Sequence, residues 1–150
     1  MKVATRYFDQ LPPREQTLFR KLAAGKLGYP HLPEALIDQF AQMIQETRSN
    51  YRYGIDDYRN DLTTREIMQD IIDEAPGGAL RCLEAQLAGL DEQFRQFTIE
   101  LTEPIFAEEE AQQDPGKFFY YWRVPRAPGK EMLNDLLRGK YIKSPAEVGA

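Results

Sequence analysis

Cysteine, histidine and tryptophan each occur once in this 150-residue chain, at Cys82, His31 and Trp122. One thiol cannot close an internal disulfide, which points to a reducing compartment, so a cytoplasmic location is expected. One histidine leaves no H-E-x-x-H zinc pair and no legible Ser-His-Asp arrangement. Long apolar runs are missing too. No window approaches the roughly 20 apolar residues of a membrane helix, and MKVATRYFDQ carries no signal-peptide run. Neither G-x-x-x-x-G-K-[ST] nor G-x-G-x-x-G occurs, so phosphate-cradling loops are absent in their recognisable forms.

What is present suits one globular domain spanning 1–150. The chain is 42% hydrophobic and 29% charged, enough to bury a core without metal or disulfide support. The net charge of -5 is unevenly laid out. Residues 1–52 hold eight Lys/Arg against five Asp/Glu, residues 53–116 four against sixteen, and residues 117–150 seven against three. An acidic middle between basic ends either neutralises itself within the fold or leaves an acidic face for a basic partner.

Apolar periodicity is helical almost throughout. Leu18, Phe19, Leu22 and Ala23 follow Pro12 and Pro13, and a loop GYPHLP holds His31. Leu36, Ile37, Phe40, Met43 and Ile44 then predict a second helix reaching about Arg48, with Gly54 breaking the pattern. In LTTREI, Thr63 and Glu66 read as a capping box, with Leu62 stapled to Ile67, opening a third helix that Pro76-Gly77-Gly78 ends. Leu80, Leu83, Leu87, Leu90, Phe94, Phe97 and Leu101 step by three and four, predicting a long central helix that Pro104 ends. Its seam would pack within the chain or, alternatively, form a homodimer. EEEAQQDPG reads as a solvated linker, Pro128 to Gly139 as a last helix, and residues 144–150 as a loose tail.

The predicted fold is all-α: a bundle of about five helices with at most a short two-stranded β ribbon. FFYYWRVP, Phe118 to Pro125, is the best strand candidate, and KVATRYF near residues 3–8 its only β-like mate, so the ribbon is placed at 3–8 and 118–124.

Three groups of residues invite a functional reading. Tyr51, Arg52, Tyr53 and Tyr58, with Tyr121, Trp122 and Arg123, are the residue types enriched at interface hot spots, and equally the types that fill a core. Glu66, Asp70, Asp73 and Glu74 share one helix face at i, i+4, i+7 and i+8, with Glu84, Asp91 and Glu92 able to face them; such a face can hold Mg²⁺ for nucleotide phosphohydrolysis, or lie solvated. Lys117, Arg123, Arg126, Lys130, Arg138, Lys140 and Lys143, with the nearby aromatics, suit single-stranded nucleic acid, which the acidic middle would repel. IDDYRND fails as a calcium loop, because counting from Asp56 puts Asp61 where glycine is needed and Ile67 where the bidentate glutamate belongs. Cys82, beside the leucine seam, reads as packing rather than as a nucleophile.

The expectation is a non-enzymatic domain that binds a protein partner with a basic or mixed surface and needs no cofactor. In kind it resembles the short, acidic, helical immunity proteins that neutralise nuclease toxins, which use adjacent tyrosines. That likeness implies an antitoxin- or adaptor-like role and assigns no family.

Overall fold

The computed structural model describes residues 7–26, 32–48, 50–105 and 114–149. Among the described residues five α-helices run in the order α1 (Pro13–Ala23), α2 (Leu36–Thr47), α3 (Ile55–Glu74), α4 (Arg81–Phe97) and α5 (Lys130–Arg138). An antiparallel ribbon joins β1 (Thr98–Glu100) to β2 (Arg123–Pro125). The all-α class with one short ribbon is therefore the observed architecture. No helix among the described residues is long and apolar enough to cross a membrane.

The centre of the bundle is α2, not the longer-patterned α4. Leu36, Ile37, Phe40, Met43 and Ile44 are all buried, a stripe wide enough to pack against both α3 and α4. Phe40 meets Phe94 of α4 with ring centroids 6.2 Å apart. On α4 the predicted seam is buried from Leu83 to Phe94. That stretch packs within the chain, with α2 among its neighbours. The helix stops at Phe97, before Leu101, because Thr98 turns extended and its hydroxyl donates to the Phe94 carbonyl at 2.6 Å. The ribbon, rather than Pro104, ends it.

Two helix starts are capped from a distance. The carboxylate of Glu15 on α1 accepts the N–H groups of Cys82 and Leu83, both at 3.0 Å, closing the first turn of α4. Asp135 of α5 accepts the Ile55 N–H at 2.9 Å, so α3 begins after Gly54, well before the Thr63 start read from the sequence. Thr63 is mid-helix, its hydroxyl donating to the Arg59 carbonyl, and Glu66 is engaged by Tyr121, so the pair forms no capping box. A local motif was outcompeted by a tertiary cap that puts Tyr58, Leu62, Met68 and Ile71 on the buried stripe.

FFYYWRVP is a strap laid across the bundle. Phe119–Trp122 wind into a 3₁₀ turn and only Arg123–Pro125 are strand. In such a turn residues three apart share a side. Phe119 and Trp122 are accordingly half-buried, while Tyr120 and Tyr121 point inward. The strand mate is Thr98–Glu100, in register Ile99 to Val124, not residues 3–8: Val3–Arg6 lie outside the described residues, and Tyr7 and Phe8 begin a turn. The strap continues past Pro125. The Tyr51 N–H donates to the Ala127 carbonyl at 3.0 Å, and the Gly129 N–H donates to the Tyr51 carbonyl at 2.6 Å.

The segment read as a loose tail is fastened where it is described. Ser144 and Glu147 form a capping box around the turn Pro145–Glu147, Val148 is buried, and the Gly149 N–H donates to the Arg126 carbonyl. The predicted loop at His31 and the linker residues 108–113 lie outside the described residues.

Candidate functional site: an acidic groove between two helices

The residues singled out in the sequence sort by burial. Tyr51 and Tyr58 are 0% exposed and Tyr121 5% exposed, so these three rings are core and not partner anchors. The two aromatic segments do meet, but internally: the Tyr58 hydroxyl donates to the Arg123 carbonyl at 2.8 Å. Arg123 is half-buried, its Nε donating to Thr98 Oγ1 at 2.8 Å and its Nη2 to the Arg95 carbonyl at 3.2 Å, where it staples the ribbon to the end of α4. Trp122 is half-buried on the strap. Arg52 is exposed and Tyr53 half-buried, the Arg52 guanidinium lying 5.3 Å over the Tyr53 ring.

The carboxylate face proposed for a metal is matched by the chain's own groups. Glu66 accepts the Tyr121 hydroxyl at 2.5 Å, Lys117 pairs with Asp73 at 3.0 Å, and Lys26 pairs with Glu74. Burial raises Asp70 above the usual carboxylate range while Lys117 and Lys26 pull it back. Among the described residues no three His, Cys, Asp or Glu side chains are grouped to hold a metal ion. Of the rings near the basic residues, Phe118, Tyr120 and Tyr121 are buried, while Phe119 and Trp122 are half-buried. Cys82 shares a hydrogen bond with Glu15 that raises its thiol, the opposite of activation.

A different cluster emerges between α2 and α3. Asp57 and Asp61, one turn apart on α3, face Glu46 and Gln39 of α2, seven residues apart and hence on one side of that helix. With Tyr53 and Asn60 they line an open groove of about 520 Å³. This is a common size for a ligand or side-chain pocket. Asp61 is the electrostatic centre. Burial, then the charges of Glu46 and Asp57, push its carboxyl up to about 6, against a hydrogen bond from Gln39. Each charge acting on it is of its own sign. Among the described residues no lysine or arginine is paired with Glu46, Asp57 or Asp61. The buried Tyr51 packs edge-on to the groove's Tyr53 and to Tyr58 at 5.8 and 5.4 Å. Burial raises its phenol far above the usual range, and Asp61, Glu46 and Asp57 add to the effect.

Sequence reasoning reached Asp57 and Asp61 only as members of a failed calcium loop and passed over Glu46. Placing the start of α3 at Gly54 would have aligned the two aspartates at i and i+4.

A raised carboxyl pKa is a stability statement. The folded chain holds the Asp61 proton more tightly than the unfolded chain, so this contribution is full below about pH 4 and is lost as pH rises through about 6. Asp61→Asn, which cannot ionise, is expected to stabilise the protein at pH 7 by about 1–2 kcal/mol after allowance for solvent screening, with the gain vanishing near pH 4. Urea melts of both proteins at the two pH values check this. An equal difference at both would show that Asp61 titrates normally.

No protein-family model matches this chain, and no curated protein or solved structure matches it either.

Proposed function

We propose that this chain is a non-enzymatic protein-binding module, antitoxin- or adaptor-like in kind, that presents the α2–α3 acidic groove to a partner with a basic surface. The observation that carries the reading is the contrast between two acidic faces. On the far part of α3, Asp73 and Glu74 already have lysine partners. Around Asp61 the carboxylates have no cationic partner among the described residues, and burial together with the charges of Glu46 and Asp57 raises the free energy of the ionised form. Charges held against that penalty suit a counter-charge arriving from outside, which strengthens association and steers it. The earlier anchors Tyr51, Tyr58 and Tyr121 serve here as scaffold.

Affinity capture from the native host tests the reading, with Asp57→Lys/Asp61→Lys as the comparison. A specific protein should be retained by the parent chain at low salt, released as salt rises, and missed by the charge-reversed variant. Recovery of the same proteins by the parent chain and by an unrelated protein of similar pI would end the proposal.

A further inference from the structure

Cations gather at the end of the bundle where the ribbon meets α2 and α4. Arg48 follows the last turn of α2 and Arg95 stands in the last turn of α4, positions where a helix C-terminus favours positive charge. The ribbon adds two more. Arg123 opens β2, and the Arg126 N–H donates to the Phe97 carbonyl at 2.9 Å, so the strap lays both arginines beside the end of α4. The Arg48 guanidinium lies 6.0 Å over the Phe97 ring and that of Arg95 lies 4.0 Å over Phe119, contacts that help to hold the two charges in place.

These charges are not balanced locally. Two helix C-termini offer roughly half an elementary charge each, and Glu100 adds one, against four guanidiniums. Among the described residues none of Arg48, Arg95, Arg123 and Arg126 forms an ion pair, whereas Arg65, Arg138, Lys26 and Lys117 all do. Arg123 gives a second, independent observation. Its Nε donates to Thr98 Oγ1 at 2.8 Å and its Nη2 to the carbonyls of Thr98 and Arg95 at 3.1 and 3.2 Å, which leaves both N–H groups of Nη1 without an acceptor among the described residues. A guanidinium pinned along one edge and open along the other is a preorganised fork for a carboxylate. We propose that this arginine end is a docking surface for an acidic segment of a partner protein, whose Asp and Glu side chains pair with Arg95, Arg126 and the open edge of Arg123. Nucleic acid fits less well: a phosphodiester chain is charged along its whole length and would run from four arginines onto a protein of net charge -5, whereas a peptide can confine its carboxylates to the patch. The inference rests on the protein-binding reading but on none of the groove's residues, and it gives the partner a surface of both signs.

Fluorescence anisotropy on the whole chain tests it with three labelled probes: hexa-glutamate, uncharged hexa-glutamine, and a thymidine heptanucleotide whose six phosphodiesters match the charge of the first. Hexa-glutamate is expected to bind at about 50 mM salt and to weaken at about 300 mM, hexa-glutamine not to bind, and the oligonucleotide to bind less tightly than hexa-glutamate. Arg95→Gln/Arg126→Gln should weaken hexa-glutamate about tenfold. Arg14→Gln/Arg81→Gln removes the same charge from two exposed arginines that line one hollow at the start of α4, about 21 Å from Arg95 along the helix, and should change binding by less than about twofold. Both variants alter exposed side chains, and thermal melting followed by far-UV circular dichroism checks that each is folded. No binding of hexa-glutamate, equal losses in the two double variants, or tighter binding of the oligonucleotide would each overturn the assignment. Hexa-glutamate binding in a chain whose groove captures no host protein would support this surface while ending the groove reading.

Discussion

Asp91→Ala is expected to remove about 3–5 kcal/mol of stability, the largest loss at any single polar position of the bundle. Arg65 occupies the buried stripe of α3, and Asp91 occupies the facing stripe of α4, with side chains only 7% and 11% exposed. The guanidinium is held twice, Nε to Oδ1 at 2.9 Å and Nη2 to Oδ2 at 2.8 Å, and Nη1 donates to Gln69 Oε1 at 3.1 Å. It also lies 5.8 Å over the Tyr120 ring. Removing the carboxylate strands a positive charge among leucines and rings, and desolvation without compensation sets the penalty. The pair itself contributes much less. Replacing both partners by apolar residues, Arg65→Met with Asp91→Leu, should come within about 1 kcal/mol of the parent. Chemical denaturation followed by far-UV circular dichroism reads both. A loss below about 1 kcal/mol in Asp91→Ala would mean that water reaches Arg65.

Gly129→Ala should cost about 2–3 kcal/mol. The reason is space and not backbone conformation, since the residue sits in an ordinary extended region. A Cβ there would stand 2.7 Å from the Tyr51 carbonyl oxygen and 3.1 Å from Arg52 Cα. Neither can retreat easily, because Tyr51 is bound through both backbone groups to residues 127–129. The disturbance would pass from Tyr51 to Tyr53, whose ring it packs against and which lines the acidic groove. Gly89→Ala is the natural contrast. It lies in the middle of α4 with nothing within 4 Å of the added carbon, so it should stabilise by about 0.5–1 kcal/mol. Similar melting temperatures for the two variants would refute the packing argument at Gly129.

The number and kind of elements were legible because burial imposes a period of three to four on every bundle helix, and Leu83 to Phe94 or Leu36 to Ile44 show it without interruption. Element starts were less legible. Thr63 and Glu66 satisfy a capping pattern locally, yet Asp135 competes from a distant helix, and no local rule sees such a partner. The same limitation hid the ribbon: Thr98–Glu100 reads as a continuation of the leucine seam until the strap docks on it. For the site, residue type misled. Tyrosine beside arginine suggests an interface, but here the phenols of Tyr51 and Tyr58 are closed in by each other and by Arg123. The groove depended on Glu46 and Asp61 approaching across two helices, a relation that spacing along the chain does not encode.

The cap on Ile55 comes from a residue 80 positions downstream. During vectorial synthesis α3 therefore leaves the ribosome with its first amide lacking that acceptor, and the helix bearing Asp57 and Asp61 is completed only after α5 has emerged. Nascent chains stalled short of Asp135 would carry a frayed start to α3, so the acidic groove should mature late in translation, once the strap and its following helix have closed over Gly54.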